Sequence, residues 1–430
     1  MQIELAYGKT GLKVELPREA RPMVIRKPPF DIPADPDELI SNILNMPIEV
    51  PRLEVLGREA SSACILICDI TRPVPNHLFL RPIIERLVHA GIKLEAITVL
   101  VATGLHRPNL GEELSELVGD PWVLKNVRIV NHDARNEADH VMLGWTKKRG
   151  VPVGLDRRFV EADIKIATGL VEPHFMAGYS GGRKVVAPGI AYHETIRTFH
   201  NARFMEDPHA RSCNLDHNPL HEEQLAIIGM LDGPVLGLNT VIDESRNLAF
   251  ACFGEIIASH LRAVTFVRRH VEIPVGKKFK TILTSAAGYP LDKTYYQTVK
   301  GMVTPLDILE DGGTLIIASS CSEGMGSDEF RQAQQRLVAL GPSAFLETLR
   351  GKDFAEIDEW QTEMQLKPMR VGKIQLYTEG LDDEDLAITG VEATSGITNA
   401  VSASIKRHDS PEVAVIPEGP YLVPLESKMT

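Results

Sequence analysis

This chain has no cysteine framework. Its five cysteines, Cys64, Cys68, Cys213, Cys252 and Cys321, are scattered, odd in number and form no CxxC pair. That excludes a disulfide scaffold and a cysteine-rich metal cluster. Cys64 and Cys68 fall in ACILICDI (63–70) and read as small core residues of a buried strand. Long apolar runs are missing too. None approaches about twenty residues, so no membrane span is expected. The first residues, MQIELAYGKTGLKVELP, alternate like a strand and lack the charged-then-apolar order of a signal peptide. Positive charge is in deficit: the formal net charge of −12 argues against a general binder of nucleic acid or anionic membrane. A local basic pocket for a small anion stays open. There is no internal repeat and no low-complexity segment. A cytoplasmic protein is expected.

The chain that remains has 430 residues, 43% of them hydrophobic and 24% charged, the profile of a globular protein too long for one ordinary core. Strand-like and helix-like segments alternate: ACILICDI, a helical pattern over 76–92, LEAITVLVATG (94–104), GEELSELVG, VRIVNHD (127–133) and ADIKIATGLVE (162–172). This order argues for parallel βαβ units. A further helix is expected near 254–272, and a boundary in EIPVGKKF, near 272–279. Beyond it strands recur at 312–320, 373–379 and 412–419, with helices over 329–349. The expectation is two α/β domains with largely parallel sheets. The first spans 1–273 and binds the cofactor; the second, smaller, spans 274–430, with its last residues packing back on the first. The active site is expected in the interdomain cleft.

In parallel sheets, functional residues stand just beyond the carboxyl ends of strands. Three such ends carry chemistry here: Asp69-Ile70-Thr71-Arg72, Thr103 through Arg107 with His106, and Glu172-Pro173-His174. DITRPVP suits either an anion site at a helix start or a capped helix with Arg72 in a surface ion pair. EPHFMAGYSGGRK places His174 and Lys184 around Gly178, Ser180, Gly181 and Gly182. It lacks the GxxxxGK[ST] spacing of a Walker loop. Its lysine suits a phosphate or a covalent bond, or else a solvated turn. His200 follows in RTFHNARF. His106, His174 and His200 can be a zinc site or can divide the roles of acid, base and ligand. YPLDKTYYQTVKG opens a helix on which Tyr296 and Lys300 share a face at i,i+4, with Gln297 beside them. That set suits carboxylate recognition or a plain amphipathic surface. His217 and His221 read as a turn and a helix N-terminus, and Trp360 as a core residue.

Taken in order, these motifs resemble the lactate racemase family that uses a nickel-pincer nucleotide: DxTRPxP, TGxHR, the PH…GYSGGRK…PG block, the downstream FHN, YQxxK and a tryptophan. The likeness runs through most of the chain, and GYSGGRK is its most specific part. It implies a modified nicotinate mononucleotide with two sulfur-bearing arms, one tethered to Lys184 as a thioamide. Two sulfurs, a ring carbon and His200 would hold Ni(II) in a roughly square-planar array. His106 and His174 would be the acid/base groups on the two faces of the substrate. Arg72, Gln297 and Lys300 would grip its carboxylate, with Tyr296 and Trp360 nearby. Asp69 and Thr71 would contact the nucleotide, and the glycines at 178, 181 and 182 and Ser180 would let it approach the backbone.

The activity so implied is racemisation or epimerisation at C2 of a 2-hydroxy acid, lactate by default, with malate, an aromatic hydroxy acid or a sugar acid open. Tyr295, beside Tyr296, is a candidate to alter the pocket. Separate maturation proteins would have to make the cofactor. Two other readings stand beside this one. A zinc hydrolase on His106, His174 and His200 has no HExxH partner and leaves Lys184 unused. A non-catalytic nucleotide-binding protein leaves the histidines without work.

Overall fold

A computed structural model describes residues Met1–Glu426. They form two compact units. The first comprises Pro29–Phe199 and Asn214–Arg269; the second comprises Met1–Pro28, His200–Cys213 and the chain from His270 on. Each is built on a six-stranded, largely parallel sheet. The fold is α/β.

In the first unit the strand Ala63–Cys68 lies at the centre of the sheet, and every one of its residues is buried. Such an unbroken apolar run is what a parallel strand covered on both faces requires. Ile97–Ala102 and Arg128–Asn131 follow on one side of it; Ile164–Leu170, Val235–Ile242 and Leu248–Glu255 lie on the other. All pairings are parallel except that of the last two strands. The chain first builds outward from Ala63–Cys68 and then returns to its other edge with Ile164–Leu170. The strand order therefore reverses between those two strands, which is where open α/β sheets bind ligands. Beyond their carboxyl ends stand Asp69 to Arg72 and Glu172 to His174.

The second unit's sheet runs Glu392–Ala393, Lys373–Tyr377, Leu309–Ala318, Phe279–Ser285, Glu412–Ile416 and Arg21–Val24, all parallel. The edge strand comes from the start of the chain. The N-terminal alternation is two strands, Gln2–Leu5 and Leu12–Glu15, joined by a turn. Ile3, Leu5, Val14 and Leu16 pack into one core with Leu283, Ile316, Val413 and Val415. The compact units thus do not follow a single cut near residue 273. Arg21–Val24 pairs with a strand almost four hundred positions away, and local pattern carries no signal of such pairing. Val423–Leu425 pairs with Glu272–Pro274 inside the second unit. The four residues after Glu426, part of the segment expected to pack back, lie outside the described residues. Among the described residues no helix is long and apolar enough to cross a membrane.

Candidate active site

Asp69 is the first residue beyond the buried strand Ala63–Cys68, and it is itself buried. Its two carboxylate oxygens are divided. Oδ2 lies 2.6 Å from His106 Nδ1, and Oδ1 accepts the Thr71 hydroxyl at 2.6 Å. Burial alone would raise this carboxyl's pKa. The bonds to His106 and Thr71 and the field of Arg72 outweigh it and hold Asp69 below the ordinary range. An ionised Asp69 needs a proton on His106 Nδ1, so Nε2 of the neutral ring carries the lone pair. The link places both halves of the adjacent strand ends in one unit, because His106 follows Ile97–Ala102. There Gly104, at a φ of 55°, turns the chain and donates its N–H to Gly189 O at 2.9 Å. Arg72 pairs with Glu172, and burial lowers its pKa.

Lys184 reaches the same edge. Cys68, whose thiol burial pushes up to about 11, feels the charges of Arg72, Asp69 and Lys184 together. The structure therefore gathers Asp69, Thr71, Arg72, His106 and Lys184 around the end of the central strand. Lys184 stands on the short helix Arg183–Val186, which starts after Gly182. His174 lies in a two-residue strand paired with Gly178-Tyr179. Its Nδ1 accepts the N–H groups of Met176 at 3.4 Å and Ala177 at 3.2 Å, so the neutral ring bears its proton on Nε2. The two candidate histidines, as neutral rings, rest in opposite tautomers: His106 carries its lone pair on Nε2 and His174 its hydrogen there.

The fold of the loop itself requires its glycines. Gly178, Gly181 and Gly182 have φ of 77°, 78° and 49°. A Cβ on them would meet Asn214 O at 2.3 Å, Val171 Cγ2 at 2.6 Å and His260 Cβ at 2.8 Å. Gly182 N–H is spent on Asn239 Oδ1 at 2.9 Å, and the Ser180 hydroxyl on Leu170 O at 2.7 Å. These residues let the loop close against its own unit. Asp69, expected at the nucleotide, commits its carboxylate to His106 and Thr71. Sequence reading missed Arg183 and His260 and left His221 without a role. All three are buried around this loop. Only the GRK triplet hinted at Arg183; nothing in the sequence marked His260.

The second unit carries the other candidates. The helix Tyr295–Val303 starts at Thr294, whose side chain accepts the Gln297 N–H. Tyr296, Gln297 and Lys300 are half-buried on it. Tyr295 points elsewhere: it is fully buried and donates its hydroxyl to Thr389 O at 2.9 Å and Gln365 Oε1 at 3.1 Å. It is a core residue. Tyr296 is in hydrogen-bond reach of Trp360 and Asp358, and burial plus Asp358 holds its phenol well above 10. The His200 and Trp360 rings lie 4.8 Å apart. His217, at a φ of 56°, is an exposed turn residue.

The helix Glu359–Val371 that carries Trp360 also holds the segment after His200. Arg370 pairs with Glu206 through two bonds of 2.6 and 3.0 Å, and Lys367 donates to Ala210 O at 3.0 Å. Between them Glu363 is buried with one oxygen unpartnered. Burial, then Glu206, raises its pKa to about 8. A carboxyl whose folded pKa is raised stabilises the fold fully below about 4.5, and that contribution is lost as pH rises through about 8. Glu363→Gln should therefore leave Tm unchanged near pH 4 and raise it near pH 9, by on the order of 5 kcal/mol in stability. Equal stabilisation at both pH values would show that Glu363 is not the titrating group.

Residues 7–213 match the family model described as lactate racemase N-terminal domain, and residues 276–423 match lactate racemase C-terminal domain. The chain belongs to the lactate racemase family. It is 31% identical over 424 residues to a lactate racemase of Thermoanaerobacterium thermosaccharolyticum, covering 97% of each chain. It is 30% identical over 425 residues to a lactate racemase of Lactiplantibacillus plantarum, covering 97% of this chain and 98% of that one. The lactate racemase apoprotein structure from T. thermosaccharolyticum superposes with a TM-score of 0.91 at 28% identity, over 99% of this chain and all of that one. A Thermotoga maritima protein shares the fold, with a TM-score of 0.68 at 17% identity over 93% of this chain and all of that one.

Family membership makes this chain an isomerase of the racemase class. Among the described residues no group of three or more His, Cys, Asp or Glu is placed to hold a metal ion. The zinc-hydrolase reading of His106, His174 and His200 needs such a group. His200 is 8% exposed, with the Trp360 ring beside it.

Proposed function

We propose that this protein inverts C2 of a 2-hydroxy acid, lactate by default, by reversible hydride removal with a nickel-pincer nucleotide bound at Lys184 and His200. The observation that carries the reading is the Asp69–His106 pair set beside Lys184 at the sheet's reversal point, in a chain of this family. Lys184 is the tether and His200 the nickel ligand. When bound, the group supplies a reversible hydride acceptor.

The reaction needs this because the C2 hydrogen of a hydroxy acid is a very poor acid: its loss as a proton leaves a carbanion beside a carboxylate. Its loss as hydride, with the hydroxyl proton taken by a base, leaves a neutral ketone. His106 is set for that task. Its Nε2 takes the hydroxyl proton, and the ionised Asp69 stabilises the imidazolium that forms. His174 is the acid/base group for the other face, since the hydroxyl occupies a different place in each enantiomer. Arg72, Gln297 and Lys300 hold the carboxylate, with Tyr296 and Trp360 beside the substrate. Maturation proteins that build the nucleotide are the implied partners.

The test is a racemisation assay of cofactor-loaded protein on single enantiomers of lactate, malate, aromatic hydroxy acids and sugar acids. Inversion of at least one is expected; inversion of none would end the proposal. In the same assay Lys300→Ala should raise KM on the best substrate by about tenfold or more and lower kcat, because a misplaced carboxylate misaligns C2. Unchanged kinetics would put Lys300 outside the site.

A further inference from the structure

Among the described residues Arg183 is the largest fully buried side chain, 1% exposed, and its partners include no carboxylate. Its Nε donates to His221 Nδ1 at 2.9 Å, and one terminal nitrogen lies 2.7 Å from His260 Nε2. The other terminal nitrogen donates to Ala177 O at 3.0 Å, with Gly181 O at 3.4 Å from the first. His260 Nε2 is also 2.9 Å from Ser180 O. One guanidinium thus ties both ends of the 177–182 loop to two helices, Pro219–Ile228 through His221 and Ile256–Val271 through His260. Lys184 follows one residue later on the same short helix.

A guanidinium only donates. His221 Nδ1 must therefore be a lone pair, whereas His260 Nε2 faces a donor in Arg183 and an acceptor in Ser180 O. Protonating His221 turns an acceptor into a donor against a donor, and protonating either ring places a second cation beside a buried one. The charged groups facing His221 are Arg183 and Glu222; those facing His260 are Arg183 and His221. Burial, then Arg183, lowers His221 to about 3 and His260 well below its ordinary value. Burial lowers Arg183 itself to about 9.

We propose that Arg183, held between His221 and His260, is the positioning residue of the loop that presents Lys184, and that the hold lasts only while both imidazoles are uncharged. The role assigned to Lys184 rests on the function proposed above; the hold on the loop does not. A group with a lowered folded pKa gives its stability above the unfolded value, near 6.5 for histidine, and loses it as pH falls below that.

The experiment is hydrogen exchange on the unloaded protein, corrected for intrinsic rates, following peptides that cover residues 177–186 near pH 7.5 and near pH 5. In wild type the loop should lose about tenfold or more of its protection at the lower pH, while peptides of strands Ala63–Cys68 and Ile164–Leu170 stay protected. Arg183→Met should exchange fast in the loop at both values, without the pH dependence. Arg183→Lys should not rescue it, because one ammonium cannot span two imidazoles. His221→Gln, whose amide oxygen accepts at every pH, should keep the fold and reduce the loss on the acid side. It decides the matter if Arg183→Met does not fold. Wild-type protection in Arg183→Met, or the full acid loss in His221→Gln, would overturn the proposal. Intact mass of the loaded wild type is read separately: no adduct on Lys184 would sink the tether while leaving the loop result standing.

Discussion

Lys184→Ala protein, matured alongside wild type, should carry no covalent nucleotide and should invert no substrate above background. The proposed tether is an amide-type bond to one amine, so neither Arg nor Gln at this position should restore it. His200→Ala should separate the two halves of the cofactor's attachment. It should keep the organic adduct by intact mass and lose nickel by metal analysis. Lys184→Ala protein that keeps both nucleotide and activity would refute the attachment site. Nickel content equal to wild type in His200→Ala would strike His200 from the ligands.

Asp69→Asn should lower kcat by about 10²–10⁴-fold with KM little changed. Asp69 touches no reacting atom in this account; it acts through His106. An amide there no longer compensates the imidazolium, and it presents an N–H donor as readily as an acceptor, so His106 loses its fixed tautomer. The pH dependence distinguishes this from simple loss of structure. In wild type the ionised Asp69 supports His106, and in the variant the limb of the kcat profile that reports the base should move. Asp69→Asn kinetics within about twofold of wild type, with an unmoved profile, would make the 2.6 Å contact a structural one only.

Much of this site was legible because it is local. Asp69, Thr71 and Arg72 follow one apolar strand, and His106 follows the next, so the parallel arrangement alone brings them to one sheet edge. Lys184 and His174 were legible through the composition of their loop. What was not legible is contact between distant segments. Nothing in DITRPVP says that Asp69 turns to His106. Nothing near position 260 says that its imidazole meets Arg183. The glycines of GYSGGRK suggested open backbone, yet their neighbours are Asn214, Val171 and His260 at distances no side chain tolerates. Tyr295 and Tyr296 are adjacent in sequence and differ completely in surroundings, because a helix turns them about 100° apart. The division at residue 273 follows local composition. The pairing of Arg21–Val24 with Glu412–Ile416 crosses nearly the whole chain and leaves no periodic trace.

The measurement that bears most directly on the reaction itself is the fate of the C2 hydrogen. If His106 and His174 handle only the hydroxyl proton, the C2 hydrogen never sits on an exchangeable nitrogen. Racemisation of lactate by the loaded enzyme in D2O should then leave C2 unlabelled in both enantiomers. C2-deuterated lactate should keep its label through inversion and turn over more slowly. Incorporation of solvent deuterium at C2 with each inversion would contradict the account and assign the two histidines to proton abstraction at carbon.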